Sequence, residues 1–417
     1  MEVRSVRGFK DILPDEIEKW QFVEASARQV FECYGFSEIR IPILEKTELF
    51  ARGIGEATDI VEKEMYTFTD RSGTSVTLRP EATASTVRAY VETSLYTHSP
   101  VWKVFVIGPM FRYERPQKGR FRQFNQINAE VFGVEDATVD AEIMVMLSHF
   151  LHEVGLKKLE LQINSLGCKT CRPSYHKRLK AFLLKNEEAF CGDCQRRIHT
   201  NPLRVFDSKV ESCRDIMSGA PSIIDSLGPE CRDHFDRVMA YLEALDTPYT
   251  INPRMVRGLD YYVRTAFEMV SFDLGAQNAV AGGGRYDGLI ADLGGPDLPG
   301  TGFAIGMERL VSLLPPDMQG QGRARLFIAA VGEKARLETF KLANTLRLNG
   351  LTVETGYEQK SLKSQMRRAD KLGCQYVLIL GEEELKKGAL VLRDMRAKTQ
   401  EDVNLRLAPE ILIEKTQ

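Results

Sequence analysis

The chain has 417 residues, enough for two or three domains that each bury their own core. At 43% hydrophobic and 27% charged it has the composition of a soluble globular protein, and no apolar run approaches the length of a membrane span. A net charge of −2 excludes general attraction to a polyanion, so any nucleic-acid contact has to come from local basic patches.

Residues 15–34 carry Trp20, Val23, Ala27, Val30 and Phe31 at helical spacing and stop before Gly35, which predicts an amphipathic helix. Alternation predicts strands over 36–43, 65–69 and 75–78, the last two joined by an Arg71-Ser72-Gly73 turn. A helix over 83–94, an apolar strand over 101–107, a helix over 140–154 and a strand over 159–163 follow. From about 168 to 248 cysteines cluster, Lys and Arg rise, and helical periodicity dominates, as in an inserted helical module. Alternation resumes at 267–272 and 278–281, and a helix is expected over 304–314. Pro315-Pro316 and Gly320-Gln321-Gly322 read as a linker. Beyond it, strands at 326–331, 351–355, 376–380 and 389–393 and helices at 334–348 and 361–372 make the pattern of a compact α/β domain.

No Gly-Lys dipeptide occurs, which excludes a Walker phosphate loop, and the glycines of 282–288 do not fit a dinucleotide fingerprint. A nucleotide would have to be held another way, by arginines projecting from an antiparallel sheet. Three segments supply them. Residues 257–268 put Arg257, Gly258, Asp260, Tyr261 and Tyr262 together: a fixed cation that presents a donor fork to phosphate, and phenols suited to a small polar side chain. Residues 111–124 read as two strands joined by a basic loop, with five cations in eleven residues. Alternation would place Arg112 and Glu114 on one face, Phe124 suits stacking on a purine, and Lys118 and Arg120 suit further phosphates. Gln126 and Glu130, two periods apart, favour a polar pocket. In the third segment, glycines at 282–284 allow close backbone approach, and a strand leads into a helix whose early turn carries Arg309. Glu81 and Thr83 sit where a strand gives way to a helix; they suit a substrate ammonium, or simply an ordinary helix start.

Together these segments resemble the histidyl-tRNA synthetases, a class II aminoacyl-tRNA synthetase family. Its first motif resembles the N-terminal helix and the strand ending at Pro42, its second resembles residues 111–126 and its third residues 302–310. Arg257-Gly-Leu-Asp-Tyr-Tyr and Gly283-Gly-Arg-Tyr-Asp-Gly resemble the two signatures peculiar to the histidine enzymes. The resemblance implies an α+β fold: an antiparallel sheet flanked by helices over 1–167 and 249–320, a helical insertion over 168–248, and a C-terminal α/β anticodon-binding domain over 321–417. It implies ATP, with Mg2+, as substrate. Arg112 and Arg257 would flank the α-phosphate, Arg257 standing where many relatives place a metal ion, with Arg120 and Arg309 on the triphosphate. For histidine it implies Glu81 and Thr83 at the amino group, Gln126 and Glu130 lining the pocket, and Tyr261 and Tyr262 at the imidazole. It further implies a homodimer, tRNA as partner, and anticodon contact by the basic face of Lys360, Lys363, Arg367, Arg368 and Lys371. The rival within the resemblance is the inactive synthetase-like regulatory subunit of ATP phosphoribosyltransferase; such paralogues lose the 257–262 signature and the C-terminal domain, and this chain keeps both patterns.

The start of the chain lacks a secretory pattern, which predicts a cytoplasmic location and thiols or metal ligands rather than disulfides. Cys168-x-x-Cys171 and Cys191-x-x-Cys194, with nineteen residues between them, have the spacing of one four-thiolate zinc site, with His176 and His199 nearby. Cys33, Cys213, Cys231 and Cys374 show no such pairing.

Overall fold

The computed structural model describes residues 3–55, 58, 60–116, 119–274, 278–315, 325–357 and 360–416. The chain divides into two compact units, Met1–Met318 and Gln319–Gln417. The expected linker falls mostly at 316–324, outside the described residues, and Lys118 lies outside them too. Among the described residues no helix is long and apolar enough to cross a membrane.

The first unit is built on an eight-stranded sheet in the order Ser37–Glu38, Trp102–Phe111, Gln123–Phe132, Gly300–Gly306, Ala279–Arg285, Val263–Ser271, Leu159–Ser165, Tyr249–Ile251. Only the two outermost pairs are parallel. The inner six strands are antiparallel throughout. Strand alternation sorts the side chains into two layers. Ile127, Ala129, Phe267, Met269, Ala281, Phe303 and Ile305 face a core closed by the Pro14–Cys33 and Ala137–Glu153 helices. The residues between them on the same strands face the opposite way, and Asn128, Ala304, Gly282 and Glu268 pair in one row across four strands. That row is the floor of the cleft described below.

The expected helix at 15–34 and strands at 65–69 and 75–78 appear as Pro14–Cys33, Tyr66–Thr69 and Ser75–Leu78. Other expectations shift. The strand expected over 36–43 shrinks to Ser37–Glu38, because Arg40 and Pro42 follow at once. Trp102–Phe111 runs straight through Gly108-Pro109, and the described residues of the basic segment 112–122 form no regular strand, so alternation does not put Arg112 and Glu114 on a common face. The helix expected from 304 starts only at Met307, since residues up to Gly306 are needed as a central strand. Residues 168–248 are helical as expected, and they belong to the first compact unit.

The second unit has a five-stranded sheet, Thr352–Thr355, Arg325–Ala330, Tyr376–Leu380, Ala389–Asp394, Gln400–Asn404. Its first three strands are parallel and the last two pairings antiparallel. The Leu362–Lys371 helix buries Gln365 and Ala369 and exposes Lys363, Arg367, Arg368 and Lys371, so its basic face is a surface. Gln365 fixes it by bonding the Ala330 amide and carbonyl at 3.1 and 2.8 Å.

Candidate active site

A cleft of about 320 Å³ opens over the sheet floor. Arg112, Arg120, Phe124, Gln126, Glu81, Thr83, Arg257, Tyr261, Tyr262 and Arg309 all line it, although they come from segments as much as 228 residues apart. Glu130 does not reach the cleft surface. It is 1% exposed and sits directly behind the cleft, accepting a 2.6 Å bond from the Thr83 hydroxyl and a short one from the Tyr286 hydroxyl.

Each arginine is seated by a local contact. Arg257 leaves its loop to pair with Glu268 on the sheet floor and lies 5.4 Å from the Tyr262 ring centre. Gly282 makes that possible, because a Cβ there would fall 2.4 Å from the Arg257 guanidinium. Burial opposes the Arg257 charge, but Glu268 and the two phenols outweigh it and hold the pKa above its ordinary value. Arg112 donates to the Pro80 carbonyl at 2.8 Å and covers the Phe124 ring at 5.3 Å. Arg120 pairs with Glu114 at 2.8 Å, and Arg309 reaches the Ala279 carbonyl at 2.7 Å. Burial and then the neighbouring Arg120 pull the Arg309 pKa down, so this end of the cleft holds two mutually repelling cations and suits an anion.

At the other end acids are buried together. Glu81 is 3% exposed and accepts the amides of Thr83 and Ala84 at 2.7 and 2.8 Å, so it caps the Thr83–Glu92 helix as well as lining the cleft. Burial raises its pKa, against the pull of those amides and of Arg112. Burial pushes Glu130 up to about 8, so it is a neutral acid at neutral pH. The Tyr261 ring lies 4.6 Å from that of Tyr262 and 5.6 Å from that of Tyr286. Gln126 Oε1, Asn128 Oδ1, Tyr261 OH and Arg257 Nε are buried here without a hydrogen-bond partner. An unsatisfied buried polar atom costs about 1–3 kcal/mol, and four of them around one cleft prepare it for a polar ligand.

Glu268, Asn128, Glu308 and Tyr286 are parts of this arrangement that pattern reasoning did not single out. Tyr286 lies inside the quoted Gly283-Gly-Arg-Tyr-Asp-Gly signature, and Glu268 closes the 257–268 stretch, so both carried a signal. Asn128 shares the alternation of Gln126 and Glu130.

The family model for histidyl-tRNA synthetase matches residues 8–169 and 196–310, and an anticodon binding domain matches 325–415. The chain belongs to the histidyl-tRNA synthetase family. It is 57% identical to the histidine–tRNA ligase of Geobacter sulfurreducens over 97% of both chains, and 53% identical to that of Syntrophotalea carbinolica over the whole of both. The crystal structure of the S. aureus apo histidyl-tRNA synthetase superposes with a TM-score of 0.82 at 37% identity, covering 98% of this chain and 99% of that one. The fold is the family's α+β fold with its C-terminal α/β anticodon-binding domain.

The expectation of one four-thiolate site fails. Cys168 and Cys171 come together with Cys231, while Cys191 and Cys194 come together with Cys213. Each pair opens its own helix, and the chain returns to each pair separately, so the spacing between the pairs says nothing about their contact. Cys213 and Cys231, which lack local pairing, are therefore members of clusters. His199 instead bonds Glu187 at 2.7 Å, and His176 joins neither cluster.

Proposed function

We propose that the chain attaches histidine to its tRNA in two ATP-dependent steps. The histidine carboxylate attacks the ATP α-phosphate to give histidyl-adenylate and pyrophosphate. The 3′-hydroxyl of the tRNA terminal ribose then takes the acyl group. The observation that carries this reading is one cleft with four guanidinium groups around one part and buried acids and phenols around the other.

In-line attack at phosphorus builds charge on the equatorial oxygens, and fixed cations lower that barrier without reorganising. Arg112 and Arg257 flank the reacting phosphate, and Arg120 and Arg309 take the β and γ phosphates. Phe124, already stacked under Arg112, accepts the adenine face. Magnesium would come with ATP as substrate; of the cleft carboxylates, Glu114 and Glu268 are engaged with Arg120 and Arg257, and Glu308 accepts from Asn125. Glu81 and Thr83 receive the histidine ammonium. Gln126, Tyr261 and Tyr262, with Glu130 and Tyr286 behind them, read the imidazole, which offers one donor and one acceptor when neutral. An apolar amino acid would leave those groups unpaired, which is how such a pocket rejects it.

The anticodon binding match and the ligase relatives favour this reading over the inactive regulatory paralogue. Lys363, Arg367, Arg368 and Lys371, with Lys360 beside them, are proposed to meet the tRNA. A homodimer joined through the N-terminal motif and a cytoplasmic location rest on the family resemblance. The cysteine clusters are the groups that would hold a structural metal.

The test is aminoacylation with purified protein. Histidine should support ATP–pyrophosphate exchange and become attached to tRNA, and the other amino acids should do neither. Absence of histidine-dependent exchange would defeat the proposal.

A further inference from the structure

We propose that the helical insertion carries two separate zinc ions, one on Cys168, Cys171 and Cys231 and the other on Cys191, Cys194 and Cys213. Within each triad the sulfurs all lie within 4.8 Å of one another, and Cys168 and Cys171 are 3.6 Å apart. Thiolates about 2.3 Å from one tetrahedral ion stand roughly 3.8 Å apart, so this spacing suits a single ion. A disulfide would employ two sulfurs and leave the third over. The donors are soft, which suits zinc and excludes magnesium or calcium.

The two triads share one construction. A Cys-x-x-Cys opens a helix, Arg172–Lys185 in one case and Gly192–Thr200 in the other, and a third cysteine arrives from a later helix, Pro229–Ala244 or Glu211–Met217. Backbone amides reach the sulfurs in both: Gly228 donates to Cys171 at 3.2 Å, and Cys191 to Cys213 at 3.4 Å. Such bonds orient metal thiolates from outside the ligand set. Ser208 lies against Cys194, so its hydroxyl is a neighbour of the second triad. Cys171, Cys194, Cys213 and Cys231 are buried. The histidyl-tRNA synthetase match leaves out residues 170–195, and with them Cys171, Cys191 and Cys194, while Cys168, Cys213 and Cys231 lie in the matched segments.

The ions would brace the active site from behind. Arg172, next to Cys171, donates to the carbonyls of Leu166, at 3.1 Å, and Tyr262. Between Cys194 and Cys213, Asn201 bonds Asp260 at 3.1 Å and Arg204 bonds the Arg257 carbonyl at 3.3 Å. Both triads therefore pin segments that hold the 257–262 loop in place. The metal content is independent of the ligase reading; the consequence for histidine affinity rests on it.

The experiment is elemental analysis of full-length protein purified under reducing conditions without chelator. Two zinc ions per chain are expected, one for each triad. Cys231→Ser and Cys213→Ser should each lose one ion and the double variant both, while Cys33→Ser and Cys374→Ser should lose none. Should the triad variants fail to fold, chelator-stripped wild type should take zinc back to the same content, and cobalt in its place should show thiolate charge-transfer absorption. Stripped protein should also show a raised KM for histidine. Protein that contains no zinc and takes none up when reduced, a single ion removed by either substitution, or iron in place of zinc would each overturn the proposal. Zinc present without histidine-dependent exchange would instead overturn the ligase reading alone.

Discussion

The two faces of the main sheet treat buried charge in opposite ways. On the core side, Asp140 and Arg285 are both fully buried, and Asp140 accepts from Arg285 at 2.7 Å, from Thr265 at 2.7 Å and bonds His234 at 2.8 Å. Burial would raise the Asp140 pKa, but Arg285 and His234 outweigh it and hold the carboxylate below its ordinary value. On the cleft side of the same sheet, Gln126, Asn128, Tyr261 and Arg257 keep polar atoms without partners. A closed network locks two strands to two helices; an open one stores unmet hydrogen bonds for a ligand. Charge burial alone thus does not mark a site; the gathering of four unmet polar atoms at one cleft does, since the others, such as Tyr90 OH and Thr339 Oγ1, lie outside its lining.

Asp140→Ala should break this contrast most severely. It strands Arg285 without its counter-ion, and removing one partner of a buried pair costs about 3–5 kcal/mol, visible as a large drop in thermal midpoint. Arg257→Ala should do the reverse. It should lower the midpoint far less, since Arg257 and Glu268 are only partly buried, and lower ATP–pyrophosphate exchange by roughly 100- to 1000-fold, with a much smaller change in histidine affinity. A near-normal exchange rate would remove its assigned role.

Glu130→Gln sharpens the comparison through pH. The Glu130 pKa is raised from its ordinary 4.5 to about 8, so the stability this neutral acid contributes is complete below about pH 4.5 and is lost as pH rises through about 8. Wild type should therefore lose stability relative to Glu130→Gln across that window, read as the difference in thermal midpoints, and equal slopes would contradict the shift. The smallest effect belongs to the second unit. Lys363→Ala with Arg367→Ala should lower the salt slope of tRNA affinity by about one to two and leave pyrophosphate exchange untouched.

Much of the site was legible because its residues sit in short, distinctive runs. Arg257, Tyr261 and Tyr262 are nearly consecutive, and Arg112, Phe124 and Gln126 share one segment. The contacts that complete it were not. Gly282 pairs across the sheet with Glu268 and thereby admits Arg257, a relation set by strand register rather than by sequence distance. Glu130 was read as lining the pocket because alternation gives the face of a strand but not what covers it, and Thr83 and Tyr286 cover it. Cys213 and Cys231 escaped for the same reason, since helices return them to pairs 19 and 60 residues earlier in the chain. The strand through Gly282, Gly283 and Gly284 is held by its neighbours on both sides, against the low strand propensity of glycine.

The most direct measurement is a crystal structure of the protein with a non-hydrolysable histidyl-adenylate analogue. The account predicts the phosphate mimic between the guanidinium groups of Arg112 and Arg257, the imidazole bonded to Tyr261 and the Glu130 side of the pocket, and the ammonium at Glu81. An analogue bound elsewhere, or one whose phosphate mimic touches neither arginine, would contradict it.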